Sequence, residues 1–105
     1  MDAFAAATDA VFADPNIARG AIWRPGGTGS GMAVRVATRQ PDQVVGFGDS
    51  RAILSSVLID VRQSDVASPV AGDVVMIGAD VFEIIAPPTI DSLQLVWTCE
   101  AARQS

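Results

Sequence analysis

The stretch Gly72-Asp73-Val74-Val75-Met76-Ile77-Gly78-Ala79-Asp80-Val81-Phe82-Glu83-Ile84-Ile85 decides how the chain is read. Two short apolar runs, rich in β-branched residues, flank Gly78-Ala79-Asp80, a compact turn with a glycine to take positive φ. Strands favour that composition, and a tight connection makes the two runs antiparallel neighbours, a β-hairpin. Phe82 and Ile84 then face a core and Glu83 faces solvent, since side chains alternate along a strand. The hairpin contains no catalytic chemistry. Asp73 follows Gly72 where the first strand begins, and aspartate there favours the local turn.

Downstream, Pro87-Pro88 ends the second strand. Residues 92–100 alternate, with Leu93, Leu95, Trp97 and Cys99 on one side and Gln94, Val96, Thr98 and Glu100 on the other, which predicts a last strand. Residues 101–105 then form a frayed tail. Cys99 lies on the apolar side, where a free thiol behaves as a small buried hydrophobe. Upstream, residues 52–62 form the longest strand, with Val57, Ile59 and Val61 inward. Leu58, Asp60 and Arg62 put its other face partly in solvent, as one-sided antiparallel sheets show. Residues 32–39 alternate as well, Met32, Val34, Val36 and Thr38 against Ala33, Arg35, Ala37 and Arg39, and a first strand lies near residues 21–24.

Two glycine-containing segments separate these strands. Residues 25–31, Pro-Gly-Gly-Thr-Gly-Ser-Gly, precede a strand and carry no lysine, whereas a phosphate-cradling loop needs a helix after it and usually a lysine. They read as a flexible hairpin loop. Residues 44–51 form a second flexible loop in which Phe47 stands between Gly46 and Gly48. Its phenylalanine either folds back on the core or belongs to an arm that orders against a neighbour. Before all of this, residues 2–12 form an alanine-rich helix, capped by Asp2 and stopped by Asp14-Pro15. Phe4, Ala7, Val11 and Phe12 share its predicted apolar face. The fold class is therefore mainly β: a small antiparallel barrel or sandwich of about six strands with one short N-terminal helix. At 105 residues the chain reads as one domain, residues 1–105, with the barrel over 21–100.

Composition narrows the function. The net charge is −5, all seven basic residues are arginines, and histidine and lysine are absent. This removes Ser-His-Asp and Cys-His pairs, histidine metal clusters and Schiff-base lysines. The carboxylates Asp60, Asp65, Asp73, Asp80 and Glu83 fall at strand ends and turns, and a calcium site from Asp73 and Asp80 lacks the spacing of known loops. No enzyme, cofactor or metal site is expected. An acidic domain with no basic patch is also poorly suited to gripping nucleic acid, and only Arg35 and Arg39 share a strand face, without an aromatic. A lone Cys99 permits no intrachain disulfide and fits a reducing compartment. The start, Met1-Asp2-Ala3, is acidic and lacks the apolar core of a signal peptide, and no run approaches the ~20 apolar residues of a membrane span.

The string Gly72-Asp73, Val75, Ile77-Gly78, Phe82 and Ile84, followed by Leu95 and Trp97, resembles the C-terminal half of the small head–tail attachment (joining) proteins of lambda-like tailed phages. The short helix near an Asp-Ala-rich start, Gly46-Phe47-Gly48 before a long strand, and Ser64-Asp65-Val66 leading to the Gly-Asp turn extend the resemblance. Residues 26–31 match no pattern in it. The resemblance implies a head-completion protein of the stopper type in the virion neck, made in the bacterial host cytoplasm, with a fold related to tail-tube and tail-terminator proteins. It implies a homo-oligomeric ring, a hexamer, between the portal or adaptor on the head side and the tail terminator or tail tube on the other. DNA passes through the lumen without specific binding, and no membrane is involved. Expected contacts are Phe4 and Asp9 on the helix, Thr28 and Ser30 in the first loop, and Phe47 and Arg51 in the second. The alternatives are a tail-terminator or tail-tube subunit of the same fold and, in another class, a small barrel binding a ligand or nucleic acid.

Overall fold

A computed structural model describes residues 3–40 and 56–104. Helix α1 (Ala3–Ala13) is followed by β1 (Arg19–Arg24), β2 (Met32–Arg39), β3 (Ser56–Arg62), β4 (Val74–Ile77), β5 (Asp80–Ile84), β6 (Thr89–Ile90) and β7 (Val96–Arg103). All pairings are antiparallel, in the order β3-β2-β1-β4-β5-β7-β6, and β3 also pairs with β7. That last pairing, from Ser56↔Ala102 to Arg62↔Val96, closes six strands into a barrel and leaves β6 as an extra strand on β7. The fold is thus mainly β, as expected. Closure removes the open edges that make isolated sheets prone to association.

The predicted hairpin is β4–β5. Val75 faces Phe82 and Ile77 faces Asp80, so the turn is the two residues Gly78-Ala79, with Gly78 at φ +63°. Glycine at the first position of a two-residue hairpin turn takes positive φ without steric cost. Inward side chains follow the predicted alternation: Val57, Ile59 and Val61 of β3, Phe82 and Ile84 of β5, Val34 and Val36 of β2 are all buried. Trp23, Ile59, Ile84, Val36, Val61, Val75 and Cys99 form the fully enclosed centre. Burial pushes the Cys99 thiol up to about 12, with the negative charges of Asp60 and Asp73 acting in the same sense.

Four expectations are corrected. The last strand is Val96–Arg103 rather than 92–100, because Asp91 organises a turn ahead of it: its carboxylate accepts the N–H groups of Leu95 and Val96, and Gln94 takes φ +58°. The tail expected to fray is part of the barrel wall, where residues 101–103 pair with β5 and Ala101 is fully buried. The helix docks by a different face. Phe12 is buried and Ala5 and Thr8 are half-buried, whereas Ala7 and Val11 are exposed and Phe4 is 60% exposed. An alanine-rich helix has little amphipathicity of its own, so what meets it decides its rotation. The first strand also starts earlier than predicted, at Arg19. Residues 52–55 of the third predicted strand, the 44–51 loop with Phe47 and Arg51, and the Asp2 cap lie outside the described residues.

Candidate interaction surfaces

Antiparallel order places the connections at two ends of the barrel. The 25–31 loop, the 63–73 connection and the 85–95 segment lie at one end. The β4–β5 turn, Gln40 and Ser56 lie at the other.

At the first end the glycine-rich loop begins as a 3-10 turn over Pro25–Gly27, and Gly26, Gly27, Gly29 and Gly31 all have positive φ. Gly31 has no alternative residue, since a Cβ there would approach Ile22 Cγ2 to 2.5 Å and the Trp23 carbonyl to 3.0 Å. Asp73 ties this loop to the barrel. It is 2% exposed, and its carboxylate accepts the Trp23 indole N–H at 3.0 Å, the Gly26 amide at 2.9 Å and the Val70 amide at 3.0 Å. The Val70 contact is the turn chemistry that the sequence indicates. The other two reach across the fold, and nothing in the local pattern signals them. Arg24 Nε adds a hydrogen bond to the Gly29 carbonyl. Thr28 and Ser30 are exposed on the far side of this loop.

On the flank, two arginines hold α1. Arg35 of β2 donates from Nε to the Phe12 carbonyl, one that a helix end leaves unpaired, and from Nη2 to the Ala18 carbonyl in the connection to β1, both at 3.0 Å. Arg62 of β3 stacks over the Phe12 ring at 5.6 Å and pairs with Asp9 at 3.2 Å and Asp65 at 2.9 Å. Burial by itself lowers the Arg62 pKa, but the hydrogen bonds and charges of Asp65 and Asp9 outweigh it and the net direction is up. Asp9, a predicted contact residue, is therefore an intramolecular anchor as well as exposed surface. Phe4 stands on the outward side of the same helix.

The second end is an open mouth of about 380 Å³ floored by Val57, Ile77 and Phe82 and rimmed by Gln40, Ser56, Asp80 and Arg103. Arg103 pairs with Asp80 at 2.8 Å and lies over the Phe82 ring. Gln40 and Ser56, which bracket the segment carrying Phe47 and Arg51, are both at this mouth. The structure therefore places Phe4 and Asp9 on one helix, with Asp9 turned to Arg62 and Phe4 outward, and keeps Thr28 and Ser30 at the end opposite Gln40 and Ser56.

Catalytic chemistry has little to work with. Asp73 and Asp80 sit at opposite ends of the β4–β5 hairpin, each already bonded, and among the described residues no group of three or more His, Cys, Asp or Glu side chains is placed to hold a metal ion. Arg24, Arg35, Arg39, Arg62 and Arg103 all direct donors to acceptors within the chain, which weakens a phosphate-binding reading. Arg39 pairs with Asp60, and the hydrogen bond and charge of that carboxylate raise its pKa. No helix among the described residues is long and apolar enough to cross a membrane.

The family model for phage head-tail attachment proteins matches residues 1–101. Neither the curated proteins nor the solved structures gave a match. The chain belongs to the phage head-tail attachment family, with a structural role in the virion neck, where head and tail components meet.

Proposed function

We propose that the chain completes the head by forming a ring, a hexamer, between the portal or its adaptor and the tail terminator or tail tube. The ring retains packaged DNA and presents the platform on which the tail docks, without catalysis. The observation that carries this reading is the family match over residues 1–101. The geometry supports it in two respects. The glycine-rich 25–31 loop lies at one end of the closed barrel and Gln40 and Ser56 lie at the other, which suits a part that meets one partner above and another below. The net charge of −5, with most described arginines engaged internally, suits a passage that DNA crosses without sticking.

In this reading Thr28 and Ser30 contact one neighbour, Phe47 and Arg51 contact the other, and Phe4 and Asp9 contribute from the helix. The chain is made in the host cytoplasm and joins the virion at the neck. Electron microscopy of portal complexes incubated with the purified chain tests the reading. A ring of added density at the vertex is expected, and its absence at saturating chain would sink the proposal. Particles made without the chain are expected to be DNA-filled heads that leak and lack tails. Tails of aberrant length would instead identify a tail terminator.

A further inference from the structure

The outer surface of the barrel has two unlike halves. Over β4, β1 and β2 it is a shallow trough of about 560 Å³. One row across it is Met76, Ile22 and Ala33; the next carries Gly20 opposite Arg35, with Gly78 on the far side. The depression exists because Gly20 and Gly78 have no side chains, and a Cβ built at Gly20 meets nothing within 4 Å. Arg24 and Arg35 border this half. Both give their guanidinium donors to backbone carbonyls, and among the described residues no carboxylate pairs with either guanidinium.

The half over β5 and β7 is the converse. Ile85, 43% exposed, projects beside Glu100, because its amide bonds to the Glu100 carbonyl at 2.9 Å and continues the β5–β7 ladder. Glu83 precedes it on the same outward side. Among the described residues neither Glu83 nor Glu100 pairs with an arginine, unlike Asp60, Asp65 and Asp80. One half therefore presents a hole bordered by Arg24, Arg35 and the Arg62–Asp65 ion pair, where arginines outnumber the one lining carboxylate, and the other presents an apolar knob between two negative charges. In the closed order β1-β2-β3-β7-β5-β4, β1 and β7 are diametrically opposite.

We propose that these are the two sides of one head-to-tail contact between copies of this chain, in which Ile85 of one copy seats over Gly20 of the next while Glu83 and Glu100 face Arg24 and Arg35. The occupant is a second copy because the complementarity of charge and shape is internal to this one surface. Two different, opposite faces cannot make a two-fold contact; they repeat in one direction until a ring closes. The inference rests on the ring reading above and names the surfaces that build it.

Paired variants test it. Ile85→Glu spoils the knob and leaves the hole, whereas Gly20→Glu fills the hole and leaves the knob. Gly20 sits in ordinary strand backbone with open space at its Cβ, so this change is not expected to disturb folding, and burial of Trp23 read by fluorescence checks both variants. Each variant alone is expected to self-associate about tenfold or more weakly than the parent chain, the scale of a lost anchor residue. Mixed one to one, they are expected to form a heterodimer and nothing larger, because one intact knob and one intact hole remain. Gly20→Ala and Ile85→Val should keep full assembly. Unchanged association of the single variants, no heterodimer in the mixture, or a parent chain that never self-associates would each overturn the proposal. If both Glu variants still form rings on portal complexes, the assignment of faces fails and the ring stands. If the parent chain adds no density there, the ring reading itself fails. Loss of portal binding in Gly20→Glu with self-association intact would assign the trough to a head component and overturn the inference.

Discussion

The 25–31 loop and helix α1 are both appended to the same barrel, yet they are held by opposite means. The loop is held from inside, by one buried carboxylate that accepts N–H groups from three separate segments. The helix is held from outside, by the partly exposed side chains of Arg35 and Arg62, which reach from the strands to the Phe12 carbonyl, to the Ala18 carbonyl beyond the helix end and to Asp9. A buried acceptor cannot be replaced by water, so removing it orphans its donors at a full desolvation penalty. A partly solvated cation can exchange one partner for another, and its loss costs less. The loop end is in effect part of the core. The helix is a separable attachment.

Removing Asp73 strikes that difference hardest. Asp73→Ala leaves the Trp23 indole and the Gly26 and Val70 amides without an acceptor, and is expected to destabilise the chain by about 3–5 kcal/mol in urea denaturation. Trp23 emission should shift to the red at the same time. A loss below about 1 kcal/mol, within the range of an ordinary surface change, would mean that the loop end is no more integral than the helix. Arg62→Met is expected to cost less, about 2 kcal/mol, and to act locally. Amide exchange should accelerate in Ala3–Ala13 while β3 and β7 stay protected. Uniform acceleration through the barrel would erase the distinction between the two attachments.

The smallest effect runs through Cys99, which feels Asp73 but not the helix arginines. Burial raises its folded pKa to about 12, above the ordinary thiol value of 9.0, so the thiol's contribution is fully present below pH 9 and is lost as pH rises toward 12. Between about pH 8 and pH 10 this amounts to a loss of about 1 kcal/mol, and a Cys99→Ala chain should lack that slope. A slope unchanged in Cys99→Ala would place the titrating group elsewhere.

Much of this architecture is visible along the chain, and the reason is the backbone's own period. Strand β2 has the bounds that alternation predicts, Met32–Arg39, and the β4–β5 hairpin follows from two apolar runs around Gly78. Where a side chain captures the backbone or the pattern has no clear face, the reading fails. Leu93 and Leu95 extend the apolar alternation of Trp97 and Cys99, but Asp91 captures the Leu95 and Val96 amides and turns the chain before the strand begins. The helix misleads for a related reason: six alanines leave its rotation to Phe12 and Asp9, whose partner Arg62 lies about fifty positions away. Of the expected contact residues, Thr28, Ser30, Phe4 and Asp9 are at the surface, since polar loop residues and a short helix's outer side are exposed in almost any arrangement.

By itself, the sequence determined an acidic β-domain without histidine or lysine and with a helix ahead of it, because residue inventory and two-residue alternation need no knowledge of the partner strand. Its resemblance to head–tail attachment proteins, carried by the hairpin's spacing to Trp97, agrees with the family match. Only the tertiary structure decided that β3 closes on β7, that Asp73 gathers Trp23 from 50 positions away, and that Gly20 and Ile85 lie on opposite sides of one barrel. Those facts depend on which segments meet after closure, and that is set by side chains far apart in the chain rather than by any local pattern.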